Sequence, residues 1–204
     1  MPHVRIYKGM SPKDDSRLLL EASRGNESAF TELYQRYHEP VFRFASHMSG
    51  SSSVAEDITQ EVFLFLIQNP ASYDHTRGSL APFLIGVARN MVLRHLRKTR
   101  PVEEFSDCES TEVSPLTTVL HGERMEKMRQ AILNLPPQFR EVLVLCELTE
   151  LSYEEAADAI GCAIGTVRSR LHRARNQLMR MLTESRDAQT EKPRGGTTYE
   201  LPVF

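Results

Sequence analysis

Tryptophan is missing from this chain of 204 residues, and cysteine, glycine and proline are sparse, at three, 10 and 11 residues. The cysteines, Cys108, Cys146 and Cys162, are odd in number and far apart, which speaks against a disulfide framework and against a CxxC metal site. A reducing, cytoplasmic compartment is the simple expectation. So little glycine and proline excludes a fibrous or low-complexity chain. The longest apolar run, Val62 to Ile67, falls far short of a membrane span, so no membrane insertion is expected. The opening MPHVRIYKGM carries basic residues but no apolar centre, so no secretory signal is expected. The seven histidines show no HExxH spacing, and no nucleophile elbow or phosphate-cradling glycine loop is present. No catalytic residue, metal or cofactor is therefore expected, and the chain reads as something other than an enzyme.

A net charge of −2 hides a strong pattern. From His75 to Arg100 there are six Lys or Arg and no acid; from Pro101 to Glu123, six acids and no Lys or Arg; from Ile164 to Arg180, five arginines and no acid. Two basic blocks around an acidic one suggest two contacts with nucleic acid, against the blander alternative of solvated helix faces.

The apolar spacing is helical throughout. Residues 1–12 carry no periodicity and read as a flexible N-terminus. Leu18, Leu19 and Ala22 mark a first helix stopped by Gly25, and Asn26 can cap a second. That second helix has a stripe of Phe30, Leu33, Tyr34, Tyr37, Val41, Phe44, Ala45 and Met48, with Pro40 expected to bend or split it. Ser53 and Glu56 read as a capping box opening a third helix, with Val54, Ile58, Val62 and Phe65 inward. At about 100° per residue, Asp57, Gln60, Leu64 and Ile67 share a second arc, with Glu61 and Phe63 at its edges. A helix apolar on two sides is buried or meets a partner, and acids among the apolar residues favour the partner. After a loop from Asn69, a fourth helix over about 80–99 has the stripe Leu80, Phe83, Leu84, Val87 and Met91, then leaves its bundle with a basic end. Residues 101–122 read as an acidic linker. A fifth helix is expected from near Glu123, ending before Pro136, and a sixth over Gln138–Leu148, with Pro136 and Pro137 able to occupy its first turn and Phe139, Val142, Leu143 and Cys146 inward. Residues 184–204 show no stripe and read as a disordered tail.

The sharpest local signal is LSYEEAADAIGCAIGTVRSRLHRARNQL. Ser152 and Glu155 form a capping box. Tyr153, Ala156, Ala157 and Ile160 make a short stripe, and Gly161 supplies a left-handed stop. A second helix starts at Gly165 and Thr166, with Val167, Leu171, Ala174 and Leu178 inward. Two helices joined by a tight glycine turn make a helix-turn-helix, and the second would enter the major groove. Ser169, His172, Arg173 and Asn176 lie opposite the stripe, with Arg168 and Arg175 to one side and Arg170 to the other. The first set would reach base edges and the flanking arginines phosphates.

At this point the chain resembles a known family, the extracytoplasmic-function (ECF) sigma factors of bacterial RNA polymerase. The resemblance runs over about residues 14–182, through GNESAFTELYQRY, AEDITQEVFLFL, FLIGVARN, LNLPPQFREVLVL and the helix-turn-helix, in that order. It implies an all-α chain of two small helical domains: region 2 over 13–100, the linker 101–122, and region 4 over 123–183. Asp57, Gln60, Glu61 and Phe63, with Leu64, match the segment that meets the β′ clamp of core polymerase. Tyr73, Asp74, His75 and Arg77 match the loop that holds a flipped base. Phe83, Arg89 and Asn90, with Arg94 and Arg97 on the basic end, match the helix at the melted minus-10 element. Thr166, Arg168, Ser169, His172, Arg173, Arg175 and Asn176 match the helix that reads the minus-35 element. The implied partners are polymerase core (β′ clamp and β flap) and promoter DNA; family members often have an anti-sigma factor, which nothing in this sequence identifies. Three positions depart from the pattern: Phe83 stands where tryptophan is usual, Arg94 where an aspartate is common, and Gly86 where a larger residue is usual. The alternative class is a self-standing helix-turn-helix regulator that would use the third helix to dimerise.

Overall fold

In the computed structural model, residues 11–98 and 117–190 are described, with side chains placed for 11–98 and 125–183. The described residues form helices and no strand: α1 (Pro12–Ser23), α2 (Glu27–Ser49), α3 (Ser52–Gln68), α4 (Leu80–Lys98), α5 (Thr117–Leu133), α6 (Pro137–Leu143), α7 (Tyr153–Ile160) and α8 (Ile164–Thr190). A single 3-10 turn covers Pro70–Ser72, and a wider π-type turn, Val144–Leu148, continues α6. The all-α expectation holds.

The first four helices form one bundle. Ser11 accepts the Lys13 N–H at the start of α1, with Pro12 in the first turn where its missing N–H costs nothing. So Ser11 and Pro12, read as part of a flexible end, belong to the first helix; residues 1–10 lie outside the described residues. Asn26 accepts from the Ser28 and Ala29 amides and starts α2, as its sequence position suggests. Pro40 does not split α2, which runs unbroken to Ser49. Buried Tyr37, Val41, Phe44, Ala45 and Met48 on both sides of the proline hold the helix against the lost hydrogen bond. The capping box at Ser53 is not formed. Gly50 reverses the chain at φ 79°, so Ser51 is already extended and its side chain accepts the Val54 N–H, starting α3 earlier. The inward face of α3 is also rotated from the expected one: Ala55, Ile58, Thr59, Val62, Phe63 and Leu66 are buried, while Val54 and Phe65 are half-buried. Phe63 draws the helix round by packing edge-on to Phe30 and against Tyr34, with centroids 6.3 and 4.8 Å away.

Helix α1 is tied to α2 by a buried carboxylate. Asp15 accepts the Tyr37 hydroxyl at 2.7 Å and lies 3.6 Å from the Arg36 guanidinium. Burial outweighs both partners and raises the Asp15 pKa above its ordinary 3.8. A carboxyl whose folded pKa is raised contributes stability below its unfolded value and loses it as pH rises through the folded one. The melting temperature should therefore carry a component that falls with rising pH in that window. Asp15→Asn, neutral but still an acceptor for Tyr37, should remove it. Equal slopes for the two chains between about pH 4 and 8 would assign the effect elsewhere.

Helix α4 buries Leu80, Ala81, Leu84, Ile85, Ala88 and Val92, a stripe turned from the expected one. Phe83, Val87 and Met91 are left half-buried toward a second layer. The helix does not leave the bundle after Met91, because Val92 is buried and Leu96 still packs on the core.

The second layer is α5–α8. Helix α5 begins at Thr117, ahead of the expected Glu123; the rest of the acidic segment, 101–116, lies outside the described residues. Helix α7 starts with the Ser152–Glu155 capping box, both hydrogen bonds present, and stops at Gly161 in the left-handed region. Val167, Leu171 and Ala174 of α8 are buried as the stripe requires. Helix α8 continues to Thr190, into residues assigned to the tail, since no proline or glycine interrupts the chain before Pro193. Residues 191–204 lie outside the described set.

The two layers share one hydrophobic cluster. Helix α4 packs on α7, and α2 on α5 and on the π turn. Arg140 of α6 donates to the Met48 carbonyl at the end of α2 (2.8 Å) and to Leu133 and Leu135 at the end of α5, so one cation serves two helix C-termini. Arg129 donates to the Gly50 carbonyl at 3.1 Å. A Cβ on Gly50 would stand 3.0 Å from Leu133, so this glycine serves both the reversal and the close approach.

Candidate nucleic-acid interface

Three surfaces carry the sequence-derived candidates. On α3, Asp57, Gln60, Glu61 and Leu64 are exposed together, and Leu64 is 59% accessible. Phe63 differs: it is 2% accessible and forms the floor rather than the rim. Beside it runs a shallow apolar groove of about 500 Å³, walled by Phe30, Tyr34, Leu64 and Ile67 with Gln60 at the edge.

The second surface is the 72–79 loop with α4. Tyr73 is buried, donates its hydroxyl to the Gly78 carbonyl at 3.0 Å and tilts against Phe83 at 5.6 Å. Burial pushes its phenol up to about 12. Asp74 accepts from the Thr76 amide (2.9 Å) and hydroxyl (2.7 Å), which hold its carboxyl below the usual range. Both residues therefore shape the loop. Arg77 is exposed and His75 half-buried. Tyr73, Asp74, Arg77, Phe83, Arg89 and Asn90 meet around one cavity of about 550 Å³. Its opposite wall comes from α7, through Glu155, Asp158 and Ala159. Arg94 and Arg97 stand apart, exposed on the end of α4. Arg89 is engaged: its Nε and an Nη donate to the two carboxylate oxygens of Glu141 on α6. The Arg89 side chain is 23% accessible and that of Glu141 5%. Sequence reasoning missed Glu141, whose signal was an acid set inside the apolar run of α6.

The third surface is α8. Arg168, Ser169, His172, Arg173, Arg175 and Asn176 are all exposed, and Thr166 is half-buried. Ser169 donates back to the Thr166 carbonyl at 3.1 Å, and His172 and Asn176 lie 3.1 Å apart through their side-chain nitrogens. Arg168 sits over the Tyr153 ring, 5.7 Å from its centroid. Arg175 pairs with Glu147 of the π turn; both are about half exposed. The stripe-and-face geometry read from the sequence is thus present: a buried seam, base-edge candidates outward, and the arginines Arg168 and Arg175 anchored at the flank. Among the described residues no cluster of three or more His, Cys, Asp or Glu is placed to hold a metal, and no helix is long and apolar enough to cross a membrane.

Residues 33–102 match the family model for Sigma-70 region 2, and residues 125–178 that for Sigma-70 region 4. The chain is 32% identical over 169 residues to the probable RNA polymerase sigma-C factor of Mycobacterium bovis, covering 79% of this chain and 88% of that one. It is 33% identical over 153 residues to the ECF sigma factor SigM of Bacillus subtilis, covering 72% and 91%. This chain belongs to the ECF RNA polymerase sigma factors. As a sigma factor it serves promoter-specific transcription initiation, and the self-standing regulator is set aside. It spans 60% of the length of another similar member, SigE of Mycolicibacterium smegmatis. The fold agrees: the sigma factor RpoE of Bartonella quintana, solved in complex with the anti-sigma factor NepR, superposes at a TM-score of 0.60 with 25% identity, covering 76% of this chain and 96% of that one. The relatives this chain matches are sigma factors, which are not enzymes.

Proposed function

We propose that this sigma factor divides promoter recognition among the three surfaces. Helix α8 enters the major groove at the minus-35 element, with Ser169, His172, Arg173 and Asn176 toward base edges and Thr166, Arg168 and Arg175 toward the backbone. The 72–79 loop and α4 hold the unpaired minus-10 strand through Arg77, Phe83, Arg89 and Asn90, with Tyr73, Asp74 and His75 shaping the pocket and Arg94 and Arg97 meeting phosphates. Unpairing costs roughly a few kcal/mol per base and stacking returns roughly 1–3, so the pocket contacts must supply the rest. Asp57, Gln60, Glu61 and Leu64, on the Phe63 floor, dock on the β′ clamp, and the region 4 layer meets the β flap. Polymerase core performs the chemistry and this chain none, in the cytoplasm. An anti-sigma factor is a further partner, by analogy with the complex formed by the Bartonella protein.

The observation that carries this reading is the exposed reading face of α8 over the buried Val167, Leu171 and Ala174, in a chain where region 2 and region 4 occur in order. Run-off transcription on genomic fragments tests it. Core polymerase plus this chain should start at a small set of promoters that core alone ignores; no chain-dependent start on any fragment overturns it.

A further inference from the structure

Asp15 is a buried acid to which promoter recognition, as assigned above, gives no part. It sits in the first turn of α1 and is 1% accessible. Its Oδ2 accepts the Tyr37 hydroxyl at 2.7 Å. Its Oδ1 faces Arg36 Nη1 at 3.6 Å, and neither of those two atoms has a hydrogen-bond partner among the described residues. Apolar side chains such as the neighbouring buried Leu18 and Leu19 would hold α1 on α2 without the cost of desolvating a charge. What the acid adds is direction: it fixes where the Tyr37 hydroxyl points and how α1 is turned on α2.

Helix α1 lies behind the base-holding loop. It packs on the Pro70–Ser72 turn that leads into Tyr73. The Tyr73 phenol, held up first by burial, is held up further by the Asp15 charge, so the carboxylate is within electrostatic reach of the root of the loop. From Tyr73 onward the loop is tied at both ends. The Tyr73 hydroxyl donates to the Gly78 carbonyl at 3.0 Å, and its ring rests against Phe83. Between those ends the Thr76 amide donates to the Asp74 carboxylate and the Arg77 amide to the Asp74 carbonyl, at 2.9 and 3.1 Å. The loop is thus shaped before any nucleic acid arrives, and a preformed site has less freedom to lose on binding.

We propose that α1 braces the base-holding loop and that Asp15 is a positioning residue for capture of the minus-10 strand. Through Tyr37 it fixes α1 against α2; α1 in turn fixes the 70–72 turn and Tyr73, whose hydroxyl closes the loop on Gly78. The inference rests on the assignment of that loop to the unpaired strand. Strand capture is the step that depends on the brace. The clamp groove meets α1 at its far end, at Ala22 and Gly25, about 10 Å along the helix from Asp15 at about 1.5 Å per residue, and the minus-35 face belongs to α8.

The test uses the full chain with core polymerase and two probes from a promoter found by the run-off assay: its non-template minus-10 strand as a single-stranded oligonucleotide, and its minus-35 duplex. Asp15→Ala should weaken holoenzyme binding to the single strand roughly tenfold, the scale of one hydrogen bond lost, with affinity for core and for the duplex unchanged. Tyr73→Phe, which keeps the ring against Phe83 and removes the hydroxyl, should give the same selective loss. Asp15→Asn, still an acceptor for Tyr37, should keep single-strand binding within about twofold of the unmodified chain. Hydrogen exchange on the free chain reads the brace directly: the Thr76 and Arg77 amides should exchange faster in Asp15→Ala and Tyr73→Phe but not in Asp15→Asn. A loss spread equally over core, duplex and single strand assigns Asp15 to stability alone and overturns the proposal. So does unaltered single-strand binding in Asp15→Ala, equal weakening in Asp15→Asn, or unaltered exchange at Thr76 and Arg77. Should Asp15→Ala fail to fold, Tyr37→Phe decides by the same readouts, since it removes the hydroxyl and keeps the ring. If the unmodified chain with core binds no single strand, the promoter reading fails, while exchange at Thr76 and Arg77 still decides whether α1 braces the loop.

Discussion

A chain carrying Leu64→Arg is expected to bind core polymerase at least roughly thirtyfold more weakly, a loss of about 2 kcal/mol, with its helical content unchanged. Leu64 is an apolar side chain held in water by the fold, 59% accessible, beside a groove whose walls are also apolar. The burial of α3 is carried by the neighbouring Val62, Phe63 and Leu66. A partner that covers the groove buries Leu64 near the centre of the contact, where truncations cost most. Arginine there would be desolvated without a counter-charge on this side. Glu61→Lys, at the exposed edge of the same face, should weaken binding less and with a stronger salt dependence, as rim charges do. Phe63 makes the contrast: Phe63→Ala should lower the melting temperature first, since it removes a buried ring from the Phe30–Tyr34 cluster. Titration of core with labelled chain, alongside circular dichroism, separates the cases. Unchanged affinity for Leu64→Arg would remove α3 from the polymerase interface.

What the sequence made legible was local chemistry. The Asn26 cap, the Ser152–Glu155 box, the Gly161 stop and the Val167–Leu171–Ala174 seam are each set by residues within one or two turns, and each is present. The errors were rotations and starts. Periodicity counts apolar residues without knowing what lies opposite. It therefore put Phe83 and Val87 in the core of region 2, whereas they face the cavity under α7. It likewise put Phe65 inward on α3 and left the aromatic cluster to claim Phe63. The docking of the two layers was invisible for a related reason. The contacts that make it join residues far apart in the chain: Arg89 with Glu141, Arg140 with Met48, Arg129 with Gly50. An arginine in a basic block looks the same whether it awaits a phosphate or already holds a carboxylate. Gly86 was the one visible sign, a departure from the family pattern whose reason appears only when α7 is seen against it.

Arg173→Ala and Arg175→Ala should fail in different ways. Arg173 is exposed beside His172 and points away from the buried seam of α8, at a place from which a groove-entering helix reaches base edges. Its loss should cost ~1–3 kcal/mol at the preferred minus-35 sequence and flatten the preference there. Arg175 lies to the side and starts from a pair with Glu147. Both partners are about half exposed, so the pair is weak and screened, and phosphate can replace the carboxylate. Arg175→Ala should weaken all sequences alike and reduce the salt slope by about one unit. The pair adds a consequence: Glu147→Gln frees Arg175 without removing it, so binding should tighten slightly at every sequence with the ranking unchanged. Competition binding of holoenzyme to a panel of minus-35 variants at several salt concentrations reads all three. If Arg173→Ala preserves the ranking while Arg175→Ala reorders it, α8 enters the groove by its flank, and the Glu147 pair then masks a base contact in the free chain.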